Sequence, residues 1–171
     1  EKNIRNKSVL VTGAGGSIGK ELCKQILKLN PKVLIIFDSS EPSLYSVDNE
    51  IREFIKDSEV EIITVLGCCT NKELLISLLK KNKVYIIFHA AAYKHVPLIE
   101  INPIAALKNN IISTWTLCDV ARKYKVSKFV LISTDKAVRP TNVMGATKRL
   151  SELILKRFSL KYSSNNNEES F

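Results

Sequence analysis

Met144 and Lys148 stand four residues apart, a spacing that puts both side chains on one face of a helix, looking into one cleft. An ammonium on such a face can take part in proton transfer, but a thioether neither accepts nor releases a proton. Acid and base must therefore come from elsewhere. Ser133-Thr134-Asp135-Lys136, just upstream, offers hydroxyls, a carboxylate and an ammonium. A further polar pair, Lys94-His95, follows His89-Ala90-Ala91-Ala92, and suits either an anionic or hydroxyl-rich substrate or plain solvation. His89 itself reads as a packed or hydrogen-bonded residue rather than a catalyst.

These groups need a frame. Ser8 to Thr12 is a short apolar strand, Ser17 to Leu29 an amphipathic helix stopped by Asn30-Pro31, and Val33 to Phe37 a second strand with Asp38 at its end. A helix from Ser43 to Lys56, a strand from Glu59 to Val65, a helix from Lys72 to Lys80 and a strand from Tyr85 to His89 follow. Pro103 to Tyr124 then reads as one long helix, Lys128 to Ser133 as the fifth strand and Gly145 to Tyr162 as the last helix. Buried strands alternating with helices imply an α/β, doubly wound parallel sheet, the Rossmann architecture. Residues 1–162 are expected to be one dinucleotide-binding domain. The polar stretch 163–171 is expected to be a linker, with the sheet truncated after about five strands and a C-terminal substrate part missing beyond it.

In that frame the run Gly13-Ala-Gly15-Gly16-Ser17-Ile18-Gly19 joins the first strand to the first helix. Gly13 suits a tight turn, Gly16 a close approach of pyrophosphate to the backbone and Gly19 close helix packing, with the helix N-terminus facing the phosphates. Asp38 stands about 20 residues on, where a carboxylate binds ribose hydroxyls. Only Ser39 and Ser40 follow it, so a 2′-phosphate would find no counter-charge, and NAD is expected over NADP. Ala90, Ala91 and Ala92 are small enough for a backbone passing close to the cofactor. An ordinary tight turn and a helix cap are the competing explanations of the glycines and of Asp38.

The chain has 171 residues, 45% of them hydrophobic, and a formal net charge of +9. Its basic residues are scattered over several predicted helices without interleaved aromatics, which argues for a solvated surface and against nucleic acid, while leaving an anionic ligand or an anionic membrane open. No apolar run approaches the roughly 18 residues of a membrane-spanning helix, so this segment is expected to be soluble. Cys23, Cys68, Cys69 and Cys118 have no metal-ligand spacing, so reduced, mostly buried thiols in the cytoplasm and no metal site are expected.

Thr-Gly-Ala-Gly-Gly-Ser-Ile-Gly (12–19), His-Ala-Ala-Ala-Tyr-Lys-His-Val-Pro (89–97) and Leu-Ile-Ser-Thr-Asp-Lys-Ala-Val-Arg-Pro-Thr-Asn-Val-Met-Gly-Ala-Thr-Lys-Arg (131–149) closely resemble the bacterial polysaccharide-biosynthesis UDP-N-acetylglucosamine 4,6-dehydratases, which are extended short-chain dehydrogenases. Methionine at position 144, in place of a catalytic tyrosine, resembles their longer, membrane-anchored branch. The resemblance implies bound NAD, a UDP-sugar substrate and a 4-keto-6-deoxy product. It implies C4 oxidation served by Thr134 and Lys148, Asp135 as the acid for the departing C6 hydroxyl and Lys136 as the base at C5. It also implies Asn110 and Lys148 near the cofactor, and a homo-oligomer on the long helix that carries Trp115, although burial of Trp115 in the core explains that residue equally well. Taken singly, Asp135 can cap a turn and the lysines can bind phosphate or solvent. Two departures stand out: Cys68 follows Gly67 where the family has an adenine-binding aspartate, and Ser113 stands where a glycine is usual. A UDP-sugar 4-epimerase, which keeps the tyrosine, and a non-catalytic NAD-binding protein are the competing readings.

Overall fold

Branched apolar side chains alternate between two cores along the central strands. Val9 and Val11 of β1 (Ser8–Thr12) and Leu34 and Ile36 of β2 (Val33–Asp38) pack beneath α1 (Ser17–Leu27) and α2 (Glu41–Phe54). Leu10, Ile35 and Phe37 point the other way, into a core shared with α3 (Lys72–Asn82), α6 (Ser113–Lys123) and α7 (Val143–Ser163). Each such side chain, fully withdrawn from water, stabilises the fold by about 1.5–3 kcal/mol. The period of two in strands that are apolar throughout is what forces helices onto both faces.

The computed structural model describes residues 4–55 and 59–163. With β3 (Glu61–Leu66), β4 (Ile86–His89) and β5 (Lys128–Leu131), the described residues form one parallel sheet in the order β3-β2-β1-β4-β5. The direction of winding reverses between β1 and β4, and ligands of such sheets bind in the crevice at the carboxyl ends of the strands flanking that point. There Thr12 lies in register with His89.

Several boundaries move. The second helix begins at Glu41, earlier than the expected Ser43, and the expected end at Lys56 lies outside the described residues, as does the tail from 164 on. The third and fifth strands are shorter than expected, and α7 begins at Val143. Two features had no expectation: α4 (Val96–Ile101) and a short 3-10 turn at Asp135–Ala137. The single helix expected over Pro103 to Tyr124 is interrupted, running as α5 (Pro103–Ala106), a π-helical turn (Leu107–Ile112) and α6. Trp115 is half exposed, its ring edge-on to Phe158, so core burial does not account for it. Among the described residues no helix is long and apolar enough to cross a membrane, and no cluster of residues could hold a metal ion.

Candidate active site

The glycine loop is built by contact. Gly13 takes φ +69°, and a Cβ there would lie 2.5 Å from the Ala91 nitrogen, so β1 and the exit of β4 meet backbone to backbone. At Gly19 a Cβ would lie 2.0 Å from the Gly13 carbonyl oxygen, so α1 can start only this close to the loop without one. Gly16 differs, because its Cβ would meet only the Gly13 oxygen, at 3.3 Å. Gly16 caps α1 without a side-chain hydrogen bond, and the first turn carries no acidic residue, so the helix N-terminus presents free N–H groups to the space above it. That cradle fits a pyrophosphate. Asp38 accepts hydrogen bonds from the Gly15 and Ser40 nitrogens, 2.9 Å each, pinning the loop to the start of α2. Ser40, not Asp38, is the cap residue of α2, so the helix-cap explanation of Asp38 does not hold; its carboxylate is fixed by these two bonds and faces the cleft.

A cleft of about 470 Å³ lies over this switch point. Gly13, Gly15, Gly16, Ser17, Ile18 and Gly19 form one wall, Asp38 and Ser39 one end, and Ala90, Ala91, Ala92, Lys94 and His95 the opposite wall. Cys68 lines it too, its exposed thiol 3.1 Å from the Thr70 hydroxyl. Cys69 behind it is buried, which pushes its thiol up to about 12, as burial also does for Cys23 and Cys118. His95 additionally ends the loop as the residue before α4, so Lys94 and His95 leave a helix start rather than a free loop.

Asn110, Thr134, Asp135, Lys136, Met144 and Lys148 do not line this cleft. Asn110 is buried behind the wall: its side-chain oxygen accepts from the Tyr93 nitrogen (2.8 Å), while its amide donates to the Tyr93 oxygen (3.1 Å) and to the Thr147 hydroxyl (2.9 Å). It therefore grips the loop bearing Lys94 and His95 and ties it to α7. Its neighbours line the cleft instead: Asn109, which sequence reasoning did not place there, and Ser113, the serine at the position where the resemblance leads one to expect a glycine beside the cofactor.

Lys148 is buried and donates to the Ile132 carbonyl at 2.5 Å, joining α7 to the end of β5; desolvation holds its ammonium below the usual lysine range. Met144 is also buried, one turn away, but packs in a small apolar cluster with Ile99 and Ala106 instead of facing the cleft. Between them Gly145 has no room for a side chain, since a Cβ would lie 2.2 Å from the Lys136 carbonyl oxygen. The start of α7 is therefore pressed against the Asp135–Ala137 turn. Asn142, whose side chain accepts from the Gly145 nitrogen at 2.8 Å, and Glu100, which accepts from the Val143 nitrogen at 2.7 Å, hold that start in place. An asparagine just before an apolar helix was a readable cap; Glu100 had no local signal.

On the turn itself, Thr134 donates to the Asp135 carboxylate at 2.9 Å and the Lys136 ammonium lies 3.7 Å away. The Thr134 hydroxyl first, and then Lys136, hold the Asp135 carboxyl below its usual range. Behind the site His89 is wholly buried between two hydroxyls, with Nδ1 2.7 Å from Thr12 Oγ1 and Nε2 3.0 Å from Thr114 Oγ1. Burial pushes its imidazole down to about 3, so it is neutral.

Residues 9–171 match the family model described as "Polysaccharide biosynthesis protein". The chain belongs to that family. It is 45% identical over 154 residues to the capsular polysaccharide biosynthesis protein CapD of Staphylococcus aureus, covering 90% of this chain and 26% of that one. It is 36% identical over 155 residues to a UDP-N-acetylglucosamine 4,6-dehydratase (inverting) of Campylobacter jejuni, covering 87% and 42%. UDP-glucose 4-epimerases of Rickettsia species match as well. The X-ray structure of Pen from Bacillus thuringiensis superposes with a TM-score of 0.81 at 32% identity, over 94% of this chain and 47% of that one. The chain thus spans between a quarter and less than half of these relatives, and its fold is that of the extended short-chain dehydrogenases.

Proposed function

We propose that this is the dinucleotide-binding domain of an enzyme that uses NAD to dehydrate UDP-N-acetylglucosamine to a UDP-4-keto-6-deoxy sugar for polysaccharide or capsule assembly. The observation that carries the reading is the Asp135–Lys136 pair on a turn pressed against Gly145, next to a buried thioether at position 144 where a phenol would be needed for epimerisation. Bound NAD, held by the glycine loop and Asp38, supplies the hydride acceptor and donor of a redox cycle between C4 and C6 of the sugar. Thr134 and Lys148 hold the C4 oxygen and take up its proton. Lys136 removes the C5 proton, acidified by the adjacent carbonyl, and Asp135 protonates the C6 hydroxyl, which leaves as water as the C5–C6 double bond forms.

For those roles Lys136 must be neutral and Asp135 protonated, the reverse of the exposed ion pair on this turn. Withdrawing the pair from water favours the neutral arrangement, with the proton moved from ammonium to carboxylate. Enclosure by the substrate and by the remainder of the enzyme is then what arms the pair. Lys94 and His95 meet the substrate from the opposite wall. The full-length enzyme is, on this reading, a cytoplasmic-side, membrane-anchored homo-oligomer assembled on the α6 face that carries the half-exposed Trp115.

The Rickettsia relatives favour a second reading, UDP-sugar 4-epimerisation. The enzyme containing this domain, incubated with UDP-N-acetylglucosamine and followed by mass spectrometry, separates the two. Loss of one water supports dehydration, an unchanged mass with an inverted sugar means epimerisation, and no turnover while calorimetry detects bound NAD leaves a binding protein.

A further inference from the structure

Basic residues dispersed along the chain converge in space on the amino edge of the sheet, opposite the cleft. Lys7 and Lys32 precede β1 and β2 and are joined there, the Lys32 nitrogen donating to the Lys7 carbonyl at 2.9 Å. Lys128 opens β5, its nitrogen donating to the Tyr85 carbonyl at 3.2 Å, and the Lys7 ammonium lies 4.8 Å from the Tyr85 ring. With strands about 4.8 Å apart, these three cations fall within roughly 15 Å. Arg5 lies in the turn before Lys7, and Lys83 and Lys125 follow the ends of α3 and α6, which return to the same edge.

Helix dipoles favour cations at helix ends, but Arg5, Lys7, Lys32 and Lys128 are not on helices. Lys83 and Lys125 take φ +46° and +53°, the left-handed conformation that glycine or asparagine adopts more cheaply at a helix end. None of the six pairs with a carboxylate among the described residues, whereas Lys20, Lys24 and Lys72 on helices do, as does Arg122, whose carbonyl accepts from the Lys125 nitrogen at this same edge. Five of the six are exposed and Lys128 is half-buried. Glu59 and Glu61, exposed at the start of β3 beside Lys32, are the carboxylates described on this edge and pair with none of the six, so the edge keeps an excess of unpaired positive charge that opposes folding and that the fold itself does not account for.

We propose that this edge docks on an anionic phospholipid bilayer and holds the cofactor cleft away from the lipid. The edge is blunt, made of strand starts and helix ends, and so suits a plane. Among the described residues no helix or strand projects from it to enter a DNA groove, and the Lys7 and Lys123 ammoniums each cover one face of the Tyr85 and Tyr124 rings, which disfavours stacking of bases there. Six residues of β2 then separate the lipid from the cleft by about 20 Å, leaving the cleft open to water-borne ligands.

The test is co-sedimentation of the 171-residue chain with vesicles of phosphatidylcholine alone and of phosphatidylcholine mixed with one third phosphatidylglycerol. Binding is expected only to the mixed vesicles and is expected to fall as salt rises. A variant with Lys7→Gln, Lys32→Gln, Lys83→Gln and Lys125→Gln is expected to partition roughly two to three orders of magnitude less, each near-surface cation being worth about fivefold. An equally neutralised control with Lys108→Gln, Arg139→Gln, Lys156→Gln and Arg157→Gln is expected to stay within about fivefold of the parent. Unchanged thermal melting checks that both variants fold. Equal losses in the two variants, no binding of the folded parent to the mixed vesicles, or edge-dependent binding to a DNA duplex that exceeds binding to the vesicles would each overturn the proposal.

Discussion

His89 makes stability depend on pH in a window where few other groups of this domain titrate. Its imidazole is wholly buried between Thr12 and Thr114 and its proton affinity falls from 6.5 to about 3. Between those values the unfolded chain binds a proton that the folded chain refuses, so acid favours unfolding. Stability from this residue is fully present above about pH 6.5 and declines by about 1.4 kcal/mol for each pH unit below it, or about 2 kcal/mol by pH 5. The carboxylates held below their usual range (Asp48, Glu50, Asp135 and Glu152) act mainly at lower pH. Urea unfolding of the chain and of His89→Gln, at steps from pH 7.5 to about 5, isolates the term as the difference in slope. The variant is expected to be less stable at neutral pH, because Thr12 and Thr114 lose a buried partner, yet flatter as pH falls. Parallel curves for the two proteins would refute the reasoning, whatever the absolute loss.

Other outcomes follow from the site. Gly145→Ala must move the Lys136 carbonyl by most of an ångström, and displacement on that scale is expected to lower turnover about 100-fold while NAD affinity measured by calorimetry holds. Asp135→Asn and Lys136→Ala are each expected to lower dehydration by roughly 10²–10⁴-fold, and Met144→Leu far less, because it only repacks against Ile99 and Ala106; the opposite ranking in steady-state assays would remove Asp135 and Lys136 from the chemistry. NAD is expected to bind more tightly than NADP, since Asp38 meets a 2′-phosphate without a neighbouring arginine, and equal affinities in a titration would count against its ribose role. Cys68→Asp is expected to tighten NAD binding by adding an acceptor to the cleft wall; an unchanged affinity would mean that another group holds the adenine.

The sheet was legible because strands covered on both faces read as unbroken apolar runs, and the glycine loop because its spacing sits between a strand and a helix. What escaped depends on pairs distant in sequence. The π turn interrupts a stretch whose local pattern is that of one helix, and it is held by Asn110 reaching Tyr93 and by Thr114 and Ser151 donating to the Asn110 carbonyl. The two hydroxyls on His89 come from positions 77 and 25 residues away. Met144 and Lys148 share a buried face as their spacing required, but neither lines the cleft, because Met144 is covered by Ile99 and Ala106 of α4 and α5 and Lys148 is turned onto the Ile132 carbonyl, contacts that no periodicity announces. The basic edge was hidden for the same reason: residues scattered along the chain meet only when the strands align.

The π turn at Leu107–Ile112 also has a bearing on how this chain tolerates length change. Such a turn is in effect an α-helix with one residue too many. Removing one residue there would relax it to ordinary α geometry, and because the turn itself absorbs the extra residue, the helical stretches on either side would keep close to their present phase. A deletion inside α6 would instead rotate everything beyond it by about 100° and turn the residues that pack on α7 away from it. Homologues that differ by one residue in this stretch are therefore expected to place the gap at the π turn and not within α6.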